Sequence, residues 1–198
     1  MTAACVSTKP PVDFRSAEPA LALLEIGSIA RAAVVLDALT KQAHVRIVRS
    51  QAVTPGKFLI LFTGAEGSVE EAFAKGRARA DLALIDHLYL ADAEPRLVPA
   101  AAGAEMPLIA DEALLINEYQ TVSAALRALD RALKSAHVQC KKLRLAQGIG
   151  GKAYFVLGGE LPDIEAAADA AANAVRAELC VASEQIARLS PEVRLEHV

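Results

Sequence analysis

Apolar runs and helix-period stripes follow one another along this chain in a regular order. Residues 21–26 form an apolar run too short for a helix, which predicts a buried strand. Ser28 stands where a helix cap belongs. From 29 to 42 the apolar positions Ile29, Ala33, Leu36 and Leu39 recur at helical spacing, leaving Arg31 and Lys41 to reach water. A second strand is expected over 45–49. Thr54-Pro55-Gly56 then predicts a turn, because proline sets its own φ and glycine permits a positive one, and 58–62 returns as an apolar strand. Ser68 and Glu71 have the spacing of a capping box at the head of a second helix, where Glu70 also suits the positive helix end. A last strand falls near 83–90. The order is β-α-β-β-α-β, in which two helices cover one face of a sheet.

The unit occurs twice. Leu23-Leu24-Glu25-Ile26-Gly27-Ser28-Ile29 lies on Ile116-Asn117-Glu118-Tyr119-Gln120-Thr121-Val122 at an offset of 118 − 25 = 93, and the register holds through Asp37 on Asp130, Lys41 on Lys134 and Ala43-His44-Val45 on Ala136-His137-Val138. After a short insertion Gly56-Lys57 meets Gly151-Lys152 and Gly64 meets Gly159, at an offset of 151 − 56 = 95. Pro162 falls near the first turn of the second copy's second helix, where its missing N–H costs nothing. Residues 91–110, with Pro95, Pro99, Gly103 and Pro107, lack sustained periodicity and read as a linker. Residues 1–19 read as a flexible polar extension. The expected fold class is α+β, two tandem ferredoxin-like units spanning 20–110 with the linker and 111–198.

Composition narrows the function classes. Hydrophobic residues make up 54% of the chain, enough for sizeable cores, while aromatic residues make up 4% and tryptophan is absent, which favours thin close-packed layers over an aromatic-lined pocket. A net charge of −3 with interspersed signs supplies no basic field for phosphate, so no nucleic-acid partner is expected. Arg31, Asp37 and Lys41 typify the charges that interrupt every apolar segment, which argues against membrane insertion. Residues 1–14 hold no seven-residue apolar core behind a basic start, so the expected location is the cytoplasm. Cys5, Cys140 and Cys180 are odd in number and widely spaced, and reduced thiols are expected.

Motifs for catalysis fail on inspection. Gly151-Lys152 is followed by Ala153, whereas a phosphate-binding loop needs Ser or Thr there for magnesium. The stretch 148–153 formally fits G-x-G-x-x-A but opens into a strand over 153–157 instead of a helix. His44 and His137 recur without neighbouring ligands at metal spacing, so they are read as helix-end histidines, and no metal or cofactor is expected. Glu25 with Glu118, and Asp37 with Asp130, recur by repeat and are read as structural partners; no catalytic set emerges.

The run 21–26, the helix end Asp37-Ala38-Leu39-Thr40-Lys41-Gln42-Ala43-His44-Val45 and the glycine-bearing loop between the central strands resemble the bacterial microcompartment shell domain. The second copy matches through 114–118, 130–138 and Gly148-Ile149-Gly150-Gly151. This resemblance covers about residues 20–195. It implies a homotrimer whose six domains imitate a hexamer, of the non-permuted single-layer type, tiling with hexameric and pentameric shell proteins in the bacterial cytoplasm. It also implies that Thr54, Pro55, Gly56, Gly148, Ile149, Gly150 and Gly151 line a central pore for passive passage of small polar metabolites. Backbone N–H groups and the Thr54 hydroxyl are suitable donors for such cargo. Lys57 and Lys152 follow the loops, either adding positive potential to the pore or pointing along the sheet.

At the rim, the resemblance implies tile-edge roles for Lys41, Lys134 and Arg96. Pro191-Glu192, with Arg194 shifted, departs from the Pro95-Arg96 pattern in the second copy. Two alternatives stand beside the structural shell subunit. One is a shell trimer holding a metal or iron–sulfur centre for electron transfer, although neither pore loop contains cysteine. The other is a ferredoxin-like ligand-binding regulatory protein that happens to be duplicated.

Overall fold

The computed structural model describes residues 19–194. The first unit runs β1 (Ala20–Ile26), α1 (Ile29–Gln42), β2 (Arg46–Val53), β3 (Lys57–Gly64), α2 (Glu66–Ala80) and β4 (Leu84–Leu90). A short helix, α3 (Leu97–Ala102), precedes the second unit: β5 (Ala113–Tyr119), α4 (Val122–Ser135), β6 (Gln139–Leu145), β7 (Ala153–Gly159), α5 (Leu161–Ala174) and β8 (Cys180–Ile186). Both sheets are antiparallel with the same order, β2-β3-β1-β4 and β6-β7-β5-β8. Two ferredoxin-like α+β units in tandem are therefore the observed architecture.

Every residue of β1 is buried, because both faces of its sheet are covered. Ala20, Ala22, Leu24 and Ile26 pack under α1 and α2 against Ala32, Val35, Leu39, Val69 and Phe73. Helix α2 lies so close to β1 that a Cβ on Gly76 would come within 2.6 Å of Leu24 Cδ1. Leu21 and Leu23 point the other way, into a larger cluster with Leu97 and Ala101 of α3, Leu126 and Leu133 of α4, and Leu115 of β5. The two units thus share one apolar core, and burial of these aliphatic side chains, about 1.5–3 kcal/mol each, holds them together.

Helix caps follow the sequence in α1 and α4. Ser28 accepts from Arg31 N–H at 3.2 Å and Thr121 from Ala124 N–H at 3.1 Å. The capping box expected at Ser68 and Glu71 is corrected. Strand β3 continues to Gly64, paired with Ala20, so the chain turns at Ala65, whose carbonyl accepts from Val69 N–H at 2.9 Å. Ser68 is already inside α2, and Glu66 supplies the acid of the first turn instead. The stretch 91–110 also differs from a plain linker. Within it α3 buries Leu97, Val98, Ala100 and Ala101, and Gly103 ends the helix in the left-handed conformation, φ +104°.

Candidate pore loops and assembly edges

Both glycine-bearing turns lie between the second and third strands of their units. In the first, Gly56 N–H donates to Val53 O at 2.9 Å, and Thr54, Pro55 and Gly56 are exposed. In the second, Ala146 N–H donates to Lys152 O at 2.8 Å and Lys152 N–H to Ile149 O at 3.3 Å. Gly148 and Gly150 are exposed, Ile149 is half-buried, and Gly151 is buried. The burial of Gly151 has a specific cause. At φ +83°, a Cβ there would sit 2.9 Å from Thr54 O and 3.0 Å from Pro55 Cδ. The two loops, about a hundred residues apart in sequence, are in contact within one chain.

Lys57 does not project from its loop toward solvent. Its ammonium donates to Glu25 Oε2 at 2.6 Å, and Glu25 is fully buried. The other carboxylate oxygen accepts from Ser123 N–H at 2.7 Å and Ser123 Oγ at 2.9 Å. Ser123 lies in the first turn of α4, which carries no acidic residue of its own. Glu25, from the first unit, therefore neutralises the positive end of a second-unit helix while holding a buried lysine. Of the two alternatives for Lys57, pore potential or sheet face, the structure takes the second: the side chain lies along the sheet against Glu25 of the neighbouring strand β1, at the joint between units. Lys152 makes the matching bond to Glu118 Oε1 at 2.8 Å, yet here the side chains keep 39% and 36% of their exposure.

The expected edge residues separate in the same way. Lys41 pairs with Asp37 at 2.8 Å, four residues back on α1, and its side chain keeps 75% exposure. Lys134 pairs with Asp130 at 2.9 Å but also donates to the carbonyl of Asp92 in the first unit. Asp130 accepts in turn from Glu94 N–H at 2.8 Å. Arg96 reaches from the first unit to the end of α4, donating to Leu133 O at 2.6 Å and Val138 O at 2.7 Å, and pairs with Glu94 at 2.6 Å. Arg96 and Lys134 thus each bond across the units, whereas Lys41 stands on open surface.

His44 and His137 are exposed, and among the described residues no group of three or more His, Cys, Asp or Glu side chains is placed to hold a metal. Cys140 is buried in β6, and burial pushes its thiol up to about 12 while Sγ donates to Lys142 O. Cys180 is half-buried at the start of β8, and Cys5 lies outside the described residues. No helix among the described residues is long and apolar enough to cross a membrane.

The family model for the BMC domain matches residues 20–93 and again 113–189. The chain belongs to the bacterial microcompartment shell-protein family. It is a tandem pair of BMC domains and a structural shell protein, with no enzymatic activity in the family. A relative described as the bacterial microcompartment shell protein PduT, from Citrobacter freundii, is 35% identical over 154 residues, covering 78% of this chain and 83% of that protein. The crystal structure of a microcompartment protein from Desulfitobacterium hafniense superposes with a TM-score of 0.79 at 29% identity, covering 87% of this chain and 96% of that one. A fused permuted hexameric shell protein from the RMM microcompartment shares the fold, with a TM-score of 0.60 at 23% identity over 77% of this chain and 83% of the other.

Sequence reasoning identified both loops and the paired recurrence of Glu25 with Glu118. It missed that Glu25 joins the units. A signal was present: an acidic residue inside an otherwise apolar, buried run needs a partner of opposite charge or a helix N-terminus.

Proposed function

We propose that this BMC-domain protein assembles as a homotrimer, a pseudohexameric plate of the non-permuted single-layer type, with units at 20–110 and 111–198. Thr54, Pro55 and Gly56 of each copy alternate around its centre with Gly148, Ile149, Gly150 and Gly151. The observation that carries this reading is the contact of Gly151 with Thr54 and Pro55, which sets one loop of each unit side by side at a common end of the chain. Three such pairs arranged about an axis leave a narrow opening edged by backbone donors and three Thr54 hydroxyls, suited to passive passage of small polar metabolites.

At the rim, Lys41 on its exposed helix end meets neighbouring hexameric and pentameric shell proteins, with Lys134 and Arg96 contributing from the buttressed joint between units. The plate then forms part of a shell in the bacterial cytoplasm. Solution mass tests the assembly: a particle of three times the 20.8 kDa chain mass is expected. A monomer at micromolar concentration would overturn the reading. Single-channel recording across a planar layer of the assembled protein tests the opening. Widening the lumen by Ile149→Gly is expected to raise conductance, and an unchanged conductance would remove these loops from the pore.

A further inference from the structure

The two units of the chain are built alike but covered unequally. Helix α4 is buried on nearly every face, with Val122, Ser123, Ala124, Leu126, Leu129 and Asp130 all inaccessible. Its counterpart α1 buries only Ala32, Val35 and Leu39. Position by position the contrast is sharp: Val122 is 0% exposed and its equivalent Ile29 is 52% exposed. Leu126 is buried and its equivalent Ala33 is open. What covers α4 is the first unit of the same chain, through Glu25 at its N-terminus and Glu94 N–H on Asp130 further along.

The second unit carries the same covering surface, with nothing yet to cover. Glu118 and Lys152 reproduce Glu25 and Lys57 but remain more than one-third exposed. Ser190 reproduces Glu94: the bond from Leu97 N–H to Glu94 O, 2.9 Å, is matched by one from Val193 N–H to Ser190 O, 3.0 Å. Helix α1, like α4, has no acidic residue in its first turn, whereas α2 and α5 have Glu66 and Asp163. It is a positive helix end lacking its carboxylate, next to an apolar patch lacking its cover.

We infer that the exposed face of α1 is the docking surface for a second copy of this chain, whose Glu118–Lys152 pair seats on the α1 N-terminus as Glu25–Lys57 seats on α4. The inference rests on the trimer reading and specifies the residues that close it. Glu118 accepts from Ala30 N–H of the neighbour, the position equivalent to Ser123 N–H, and Ser190 N–H donates to the neighbour's Asp37, the position equivalent to Asp130. The contact is head-to-tail, so it closes a ring and does not cap a pair. It is also the weaker joint by construction, since Ala30 lacks the hydroxyl with which Ser123 makes its second bond to Glu25.

Dilution-dependent mass measurement on the full chain and three variants tests this. Glu118→Gln removes the charge that the helix end receives. A hydrogen bond to a charged group is worth about tenfold in affinity at the least, so three equal contacts weaken trimerisation by roughly a thousandfold. Ile29→Asp gives α1 an acid of its own, which suits the lone helix but repels Glu118; it is expected to stay folded by circular dichroism and lose the trimer. Ala30→Ser restores the missing hydroxyl and is expected to hold the trimer to lower concentration than wild type. A wild-type trimer whose dilution curve is unchanged by both Glu118→Gln and Ile29→Asp overturns the inference and leaves the trimer reading standing. A monomeric wild type overturns both.

Discussion

Glu25 and Ser123 stand 98 residues apart along the chain and share two hydrogen bonds, one to the backbone N–H at 2.7 Å and one to the hydroxyl at 2.9 Å. With Lys57 at 2.6 Å on the other oxygen, the carboxylate has a partner on each side and no contact with water. Glu25→Gln leaves a buried ammonium without its counter-ion, and a loss of about 3–5 kcal/mol in urea-unfolding stability is expected. The double variant Glu25→Gln with Lys57→Met is expected to recover part of that loss. Failure of Lys57→Met to rescue would show that the helix end, and not the lysine, is what Glu25 chiefly serves.

Gly151 and Gly148 share a positive φ but differ in surroundings. A Cβ at Gly148 meets nothing within 4 Å, so Gly148→Ala is expected to cost about 1 kcal/mol from backbone strain alone. Gly151→Ala adds an overlap with Thr54 O and Pro55 and is expected to cost about 2–3 kcal/mol. Thermal unfolding of the two variants side by side measures the difference. Equal midpoints would mean that the loops do not press on each other.

Cys140 and Tyr119 both hold their protons more tightly in the folded chain, each pushed up to about 12, and in both cases burial is the main cause. The unfolded thiol releases its proton near 8.5 and the unfolded phenol near 10. At intermediate pH the unfolded chain therefore binds fewer protons than the folded one. The stability these groups confer is complete below about pH 8.5 and falls as the pH rises toward 12, by up to about 1.4 kcal/mol per pH unit for each. Denaturant midpoints measured from neutral to alkaline pH check this, and Cys140→Ala is expected to move the onset of the fall upward toward about pH 10. The same burial makes Cys140 unreactive to thiol reagents until the chain unfolds.

Lys41 and Lys134 occupy equivalent positions and predict opposite phenotypes. Lys134→Ala removes a bond to the Asp92 carbonyl and unpairs the nearly buried Asp130, so a lower thermal midpoint is expected. Lys41→Ala removes an ion pair that is exposed in the single chain and worth little to its fold, so at protein concentrations that saturate the trimer it is expected to leave solution mass unchanged while weakening two-dimensional sheets seen by electron microscopy. Unaltered sheets would take Lys41 out of the tile edge.

Element order was legible because the chain states it twice. Each strand and helix that 23–29 and 116–122 announce exists, and Pro162 sits in the first turn of α5 as the pattern requires. The start of α2 was misread at Ser68, although the repeat held the correct answer: α5 begins two residues after Gly159, and α2 begins two residues after the matching Gly64. Local capping chemistry at Ser68 competed with strand pairing at Gly64, and the strand prevailed. Orientation was the illegible part. Nothing in the spacing of Lys57 and Lys152, or of Lys41 and Lys134, says which member turns inward, since that depends on which unit lies alongside which helix.

The covalent tie between the units bears on how the protein responds to scarcity. The joint around Glu25 forms between segments of one chain, at an effective concentration set by the stretch 91–112 and not by the amount of protein present. Dilution cannot open it, and expression level cannot starve it of a partner. A cell making few copies of this chain would still hold the two BMC domains of each copy correctly paired.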